Sequence, residues 1–321
     1  MQKVPMLVFI SRRLVQGLVV LFMISAFTFF LVNLAPGGPS SLIDFQSTAE
    51  QREARLKQYG LDKPVHVRYV LWLGDALTGD LGKSINQGLP VASLLRQRFA
   101  TTLQLALAAL FLASFFGVLL GVLAALYRNR WPDHLVSTLT TLGMSVPNFW
   151  LGIVAIIFFS VQLRWLPASG NFTIGAKFSL ADRLAHLILP AGVLAFSLMP
   201  NIVRVTRSAL LELRAADFVR TARAKGLRER MVLWKHTFKN ALVPVIAILG
   251  LVTTVLFSGS VVIESVFGWA GLGRLAIEAA NGRDYPVILG VTMLVGVIVV
   301  LVNLSIDLLY AVVDPRIRRE S

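Results

Sequence analysis

The 321-residue sequence contains no cysteine and comparatively few charged residues. The lack of Cys excludes disulfides, thiolate metal sites and cysteine nucleophiles. Charged residues make up 15% of the chain, whereas they account for about a quarter of an ordinary soluble domain. Hydrophobic residues make up 56%, and the mean hydropathy is +0.72. This composition excludes an ordinary soluble domain and indicates an integral membrane protein.

Acidic residues are scarce as well, with 17 Asp and Glu against 31 Lys and Arg. A net charge of +14 can indicate nucleic-acid binding. Here, however, the cations lie between apolar runs, as expected when Lys and Arg concentrate on one side of a membrane. The sequence therefore favours biased membrane topology over a nucleic-acid partner.

The sequence also lacks the patterns of catalytic and metal sites. Its four His residues have no metal-ligand spacing. The nearest approach to a phosphate-binding loop begins at Gly170, but Ala176 stands where that loop requires Lys. We therefore expect no catalytic residue, no metal ligand and no cofactor bound by this chain.

Six stretches are apolar over about 20 residues, the length needed to span a bilayer. They are Leu14–Leu34, Thr101–Tyr127, Leu135–Val161 with an interruption at Pro147, Leu187–Val205, Ala241–Ile263 and Pro286–Val312. The sequence therefore predicts an all-α polytopic membrane protein with six transmembrane helices. The predicted organisation is a tail and first helix (1–35), an extracytoplasmic segment (36–98), a five-helix core (99–313) containing a loop (206–239), and a tail (314–321).

The distribution of Lys and Arg predicts the orientation. With the N-terminus in the cytoplasm, most of these cations fall on the cytoplasmic side. Segment 36–98 is too long for its charges to count, since long loops are translocated largely regardless of charge. We therefore expect both termini and loop 206–239 in the cytoplasm.

The sequence of loop 206–239 is not that of a flexible linker. Apolar residues recur at helical steps on both sides of Gly226, and Arg223 and Lys225 precede this glycine as cations do at a helix end. We predict a helix, a glycine turn and a second helix with one apolar face. The residues alone leave open whether that face lies on lipid headgroups or docks to a protein.

This loop resembles the EAA loop of ABC-importer permeases, in the dipeptide, oligopeptide and nickel branch. The resemblance rests on Thr221–Leu227 and on Asn240–Pro244. Of the Glu-Ala-Ala that opens the family loop, only Ala222 is kept, and Lys239 replaces the first of two later prolines. Further matching motifs are Leu34–Gly37, Gln58–Pro64, Val146–Gly152, Trp165–Gly170, Gly271–Arg274, Arg283–Pro286 and Asp314–Arg318.

The resemblance implies the type I ABC-importer permease fold and an ATP-driven importer in the bacterial inner membrane. It implies two cytoplasmic ATPase subunits that hold ATP and Mg, a second homologous permease and an extracytoplasmic binding protein. The family's solutes include dipeptides, oligopeptides, glutathione, nickel chelates and some sugars. The residues that would couple to the ATPase are Asp217, Arg220, Thr221, Ala222, Arg223, Ala224, Lys225, Gly226 and Leu227.

Several polar residues near the predicted spans are candidates for the pathway or a gate: Gln104, Asn148, Asn201, Glu264 and Asp307. Intramembrane acids are functional candidates. Asp307 can equally be paired structurally, and Glu264 can be a solvated helix end. Residues 266–285, between the last two spans, predict a re-entrant or short-helix element near the outer gate.

Two other functions are weighed against the importer permease. A stand-alone ion-coupled transporter often shows inverted repeats and ionisable groups at the membrane midplane. The sequence has no clear repeat, and no acid lies near the centre of a predicted span. An intramembrane enzyme would need a catalytic constellation at depth, which the sequence lacks.

Overall fold

The computed structural model describes residues 6–34 and 63–313, and its regular elements are helical. The helices are α1 (Met6–Leu34), α2 (Val65–Leu77), α3 (Val91–Leu126), α4 (Trp131–Ser145), α5 (Asn148–Ala155), α6 (Leu180–Arg214), α7 (Asp217–Ala224), α8 (Glu229–Met231), α9 (Lys239–Val266), α10 (Leu272–Asn281) and α11 (Tyr285–Val313). Two π-helical segments extend this set: Ile156–Gln162 continues α5, and Val232–Phe238 joins α8 to α9. The predicted all-α class is confirmed.

Among the described residues, five helical runs are long and apolar enough to cross a bilayer. They coincide with or overlap α1, α3, α6, α9 and α11. Helices α4 and α5 pass the same test only together, and they are bent by 104° relative to each other. Counted as one broken span, this pair brings the number to the predicted six. The predicted interruption at Pro147 is confirmed, because Pro147 lies between the two halves and has no N–H to continue the helix.

The helices differ from the predicted spans at their ends. Helix α3 begins at Val91, so the predicted boundary of the extracytoplasmic segment at residue 98 falls inside a helix. Of that segment, 36–62 lie outside the described residues, as do 1–5 and the tail 314–321. The predicted fourth span is the middle of the 35-residue α6, which continues through Pro190 and Pro200. Pro200 therefore does not end its helix.

The centre of the bundle is the packing of α3 against α6. Small residues recur on α3 at every fourth position and are buried: Ala109, Ala113, Gly117, Gly121 and Ala125. A Cβ atom on Gly121 would lie 2.6 Å from Cβ of Thr206 and 2.9 Å from the carbonyl oxygen of Val203. Small residues at this spacing let two membrane helices approach closely, so their backbones come together along this seam.

Helices α1, α2 and α11 form a second layer beside this centre. Helix α1 packs along α11 and touches α2. The Ser25 hydroxyl on α1 and the Tyr69 hydroxyl on α2 are 2.8 Å apart in a buried hydrogen bond. Near the other end of α1, Arg13 and Asp307 of α11 form an ion pair of 3.1 Å. Both ends of α1 are thus fixed to its neighbours.

Candidate functional site

The predicted loop 206–239 begins with helix rather than with loop. Helix α6 continues to Arg214, so the first nine residues of that range belong to the end of a long helix. The reason lies in the sequence, because Ala209 and Leu210 are buried and pack against Ala125 and Ala241. The loop proper starts at the turn of Ala215 and Ala216.

Helix α7 and the following turn have the predicted order of helix, glycine turn and helix. Gly226 has φ of +75°, the left-handed conformation that favours glycine. The N–H of Lys225 donates to the carbonyl of Thr221 at 3.0 Å, and that of Gly226 donates to the carbonyl of Arg223 at 2.9 Å. The chain then reverses and re-enters helix at Glu229.

The apolar face of α7 is largely covered by its own chain. Val219 is fully buried, Ala222 is 5% exposed, and both pack against Val232 and Leu227 of the returning segment. The sequence suggested that this whole face needs a partner. The structure corrects that expectation, since Ala222 stabilises the turn from inside and is not available for docking.

A different set of residues on α7 and its turn is open to contact. Phe218 is 43% exposed. Thr221, Ala224, Lys225 and Gly226 are exposed as well. This group of five is called the exposed α7 face below. It combines one aromatic ring, small side chains and a cation, so it can fit closely into a cleft of another protein.

Two ion pairs brace this motif. Arg223 Nε donates to Glu229 Oε1 at 2.7 Å across the glycine turn, and its Nη2 donates to Oε2 at 3.3 Å. Arg220 lies 3.5 Å from Asp217, whose side chain is 97% exposed. The Arg223–Glu229 pair stabilises the glycine turn on its exposed side. The buried cluster of Val219, Ala222, Leu227 and Val232 stabilises it on its inner side.

The base of the motif is tied to the bundle by a carboxylate that the sequence analysis did not single out. Asp133 of α4 is 3% exposed. It accepts two hydrogen bonds of 2.7 Å from Arg207 of α6 and one of 2.9 Å from the N–H of Asn129. Seven residues further on, Arg214 donates to the carbonyl of Ala125 at 3.3 Å. The end of α6 that leads into α7 is therefore bound to the α3–α4 turn.

At the opposite end of α9, Glu264 is fully buried, so the expectation of a solvated helix end is wrong. Its carboxylate accepts from the Thr102 hydroxyl at 2.7 Å and from the N–H of Arg274 at 3.0 Å. The same hydroxyl accepts from the N–H of Leu272 at 2.7 Å. A Cβ atom on Gly271 would lie 2.5 Å from the carboxylate, so glycine is required there. Glu264 thereby holds the start of α10, the short helix predicted in residues 266–285.

The far end of α10 is held by a second buried carboxylate that sequence reasoning missed. Asp284 is 2% exposed and accepts from the Ser84 hydroxyl, from the N–H of Ile85 at 3.1 Å and from the N–H of Asn86 at 3.2 Å. Asn86 in turn donates to the carbonyl of Gly282 at 3.0 Å. The turn before α3 is thus fastened to the α10–α11 junction. The Arg283–Pro286 motif in the sequence includes Asp284. The sequence does not show that Asp284 is paired with Ser84, which lies 200 residues earlier.

The structure does not bring the five pathway candidates together. Asp307 pairs with Arg13, and Asn201 accepts from Arg204 at 3.2 Å on the same helix. Gln104 is exposed on α3. Asn148 lines an open cavity of about 420 Å³ at the bend between α4 and α5. These residues do not form one site.

A family model described as "Binding-protein-dependent transport system inner membrane component" matches residues 117–319, and the model of its N-terminal part matches residues 6–106. The chain belongs to this family. Its members are transport components, so the expectations of a permease subunit and of no enzyme activity in this chain are confirmed.

Curated relatives match this permease over nearly its full length. The oligopeptide transport system permease protein AppB of Bacillus subtilis is 42% identical, covering 97% of this chain and 99% of that protein. The glutathione transport system permease protein GsiC of Escherichia coli is 39% identical, covering 98% and 99%. The predicted resemblance to peptide-importer permeases is confirmed, and nothing in these relatives supports the stand-alone ion-coupled alternative.

Solved structures agree on the fold. The MetNI methionine ABC transporter, in an inward-facing conformation, aligns with a TM-score of 0.57 and 22% identity, covering 69% of this permease and 96% of that chain. An amino acid ABC transporter aligns with a TM-score of 0.52 and 16% identity, covering 68% and 93%. The type I importer permease fold predicted from the sequence is therefore confirmed.

Proposed function

We propose that this permease forms half of the translocation pathway of an ATP-driven importer for peptides or a similar small solute. The single observation that supports coupling to a separate ATPase is the exposed α7 face. It stands on a short helix braced from inside by Val219, Ala222 and Val232 and from outside by the Arg223–Glu229 pair. A short helix that is held in place on both sides, and whose outer face is exposed, is suited to transmitting force.

The partners follow from the same proposal. Two cytoplasmic ATPase subunits hold ATP and Mg, and each docks on one permease. A second, homologous permease supplies the other half of the pathway, and an extracytoplasmic binding protein delivers the solute. The permease itself binds no cofactor.

The proposed orientation places both termini and the exposed α7 face in the cytoplasm of a bacterial cell, with α10 on the outer side of the inner membrane. The positive-inside bias of the sequence supports it. The peptide class of solute is supported by the names of the curated relatives. The branch that the EAA-like loop resembles also includes carriers of nickel chelates.

Reconstitution into proteoliposomes tests this function. The isolated permease should neither hydrolyse ATP nor take up peptide, whereas the complex with its ATPases, second permease and binding protein should take up peptide only when ATP is supplied. Uptake by the permease alone, driven by a proton or sodium gradient, would instead establish the ion-coupled alternative.

A matched pair of alanines tests the docking surface. Ala224 and Ala280 are both exposed, the first beside the glycine turn and the second on α10. Ala224→Glu places a carboxylate on the exposed α7 face and should reduce retention of the ATPase in a pull-down of the assembled complex. Ala280→Glu makes the same chemical change at the other end of the molecule and should leave retention unchanged. Equal retention in both variants would refute docking at α7.

A further inference from the structure

The broken span contains the family-matching motif Val146–Gly152, and its role in this permease is not given by the family assignment. Helix α4 ends at Ser145 and α5 begins at Asn148, with Val146 and Pro147 between them. The N–H of Val146 still donates to the carbonyl of Leu142 at 3.1 Å, and the carbonyl of Pro147 accepts from Leu151 at 3.0 Å. The last carbonyls of α4 and the first N–H groups of α5 have no partner within either helix.

Both halves of the broken span are packed through glycine. A Cβ atom on Gly143 would lie 3.0 Å from the carbonyl oxygen of Phe196 on α6. On the other half, a Cβ on Gly152 would lie 3.2 Å from side-chain atoms of Val266 and Phe267 at the end of α9. The glycine faces are therefore turned to the core, while Ser145, at the break, is exposed.

A cavity of about 420 Å³ lies at this break and opens to the surface of the chain. Its polar lining is Ser145 and Asn148, and its apolar lining includes Met144, Phe149 and Val262 of α9. These five residues, with Val146 and Pro147, are called the notch below.

The notch lies deep in the predicted membrane. At 1.5 Å per residue, the 15 residues of α4 place Ser145 about 20 Å along the helix from Trp131. The hydrocarbon core of a bilayer is about 30 Å thick. Unpaired backbone groups at such depth are tolerated only where they are buried in protein or line water, and never against lipid. The notch opens to the surface of this chain, so in the membrane it lies either against the second permease or against water.

We propose that the notch is a wall of the solute pathway and binds the main chain of the peptide as it passes. This inference rests on the proposed import function and assigns a substrate-contact surface to it. Every peptide residue other than proline carries one backbone donor and one acceptor. The Asn148 amide offers both a donor and an acceptor, and the Ser145 hydroxyl, which donates to the carbonyl of Thr141 at 2.9 Å, offers an acceptor.

The chemistry of the lining also fixes what the notch selects. No residue that lines it is charged, so it does not discriminate between acidic and basic peptides. Met144 and Phe149 provide an adaptable apolar surface for varied side chains. The remaining wall, on the open side, is the place of the second permease.

The absence of Cys makes a direct test possible, because Ser145→Cys, Asn148→Cys and Met144→Cys each introduce the sole thiol of this chain. Leu18→Cys is the control, since Leu18 is 65% exposed in the middle of α1. The assembled complex in proteoliposomes is treated with a charged, membrane-impermeant thiosulfonate, and peptide uptake is measured before and after treatment. A variant that fails to assemble is recognised by lost uptake before labelling, and the other two positions then carry the test.

We expect the notch variants to react at least about tenfold faster than Leu18→Cys, because only a water-lined thiol meets the reagent. Labelling should abolish most ATP-driven uptake, and excess transportable peptide should slow the labelling several-fold. Reaction no faster than the control, or unchanged uptake after complete labelling, would overturn the inference. ATP-independent uptake by the unmodified complex would instead refute the importer itself, so the two failures are distinct.

Discussion

Arg207 donates two hydrogen bonds of 2.7 Å to Asp133, whose side chain is almost completely buried. The pair fastens the end of α6 to the start of α4, just before the chain enters α7. The Arg223–Glu229 pair has the same chemistry and the same shortest distance of 2.7 Å, but the Glu229 side chain is 68% exposed. The two pairs differ mainly in burial.

This difference predicts unequal effects on stability. Asp133→Asn removes the buried negative charge that pairs with the guanidinium of Arg207. It should lower the free energy of unfolding by on the order of 2–3 kcal/mol, because hydrogen bonds between charged groups are stronger than those between neutral groups. Glu229→Gln breaks an exposed pair and should cost less than about 1 kcal/mol. Thermal unfolding of the two purified variants in the same detergent measures the contrast. Equal shifts in Tm would show that burial of Asp133 contributes nothing.

The glycine turn predicts a dependence on backbone conformation alone. A Cβ atom on Gly226 meets nothing within 4 Å, so a side chain there is not opposed by packing. Its φ of +75° disfavours other residues, most strongly β-branched ones, whereas Asn tolerates this region. Gly226→Val should therefore lower the ratio of peptide uptake to ATP hydrolysed, and Gly226→Asn should largely preserve it. If Val is tolerated as well as Asn, the turn conformation is not needed for coupling.

The Glu264 cluster predicts a specific role for one hydroxyl. The Thr102 hydroxyl donates to Glu264 and accepts from the N–H of Leu272. Thr102→Val keeps the shape but removes the donor to Glu264 Oε1 and leaves the Leu272 N–H without its acceptor, while Glu264 Oε2 still accepts from the N–H of Arg274. Each lost hydrogen bond should lower the free energy of unfolding by about 1–3 kcal/mol. Thr102→Ser retains the hydroxyl and serves as the control. The Val variant should lower the Tm of the complex well below that of the Ser variant, and equal Tm values would count against the hydrogen-bonded arrangement.

The α3–α6 seam predicts opposite effects of one substitution at two glycines. Gly121→Ala places a methyl group against Thr206 and the Val203 carbonyl, and overpacking of this kind costs about 1–3 kcal/mol. Gly192 lies inside α6, and a Cβ there meets nothing within 4 Å. Gly192→Ala should therefore be neutral or stabilise by up to about 1 kcal/mol, through helix propensity. Thermal unfolding of both variants decides the matter, and destabilisation by both would contradict the assigned seam.

Much of the fold could be predicted because the bilayer imposes simple rules. The length of apolar runs revealed the spans, and the missing N–H of Pro147 revealed the break. The glycine turn at Gly226 could be predicted because apolar residues recur at helical spacing on both sides of it. The extension of α3 back to Val91 was not, because Arg96 and Arg98 make that stretch look like part of the outer segment. Tertiary packing of Val91 and Leu94 against α10 and α11 overrides this local polarity.

The polar clusters could not be predicted, for a physical reason. A carboxylate after an apolar run looks solvated unless its partner is known, and the partner of Glu264 lies 162 residues earlier at Thr102. Ala222 looked available for docking because the sequence does not show that the chain returns to cover it with Val232. Periodicity identifies a helical face, but only the fold decides what that face touches.

The central claim is that the exposed α7 face docks to a separate ATPase, and site-specific cross-linking tests it most directly. The Ala224→Cys variant of the assembled complex is labelled with a thiol-reactive, photoactivatable cross-linker. The control is Ile277→Cys on α10, labelled in the same way, because Ile277 is 37% exposed. The proposed function predicts a covalent adduct with the ATPase subunit from Ala224→Cys and none from Ile277→Cys. An ATPase that is never captured from Ala224→Cys, or is captured equally from both positions, would contradict it.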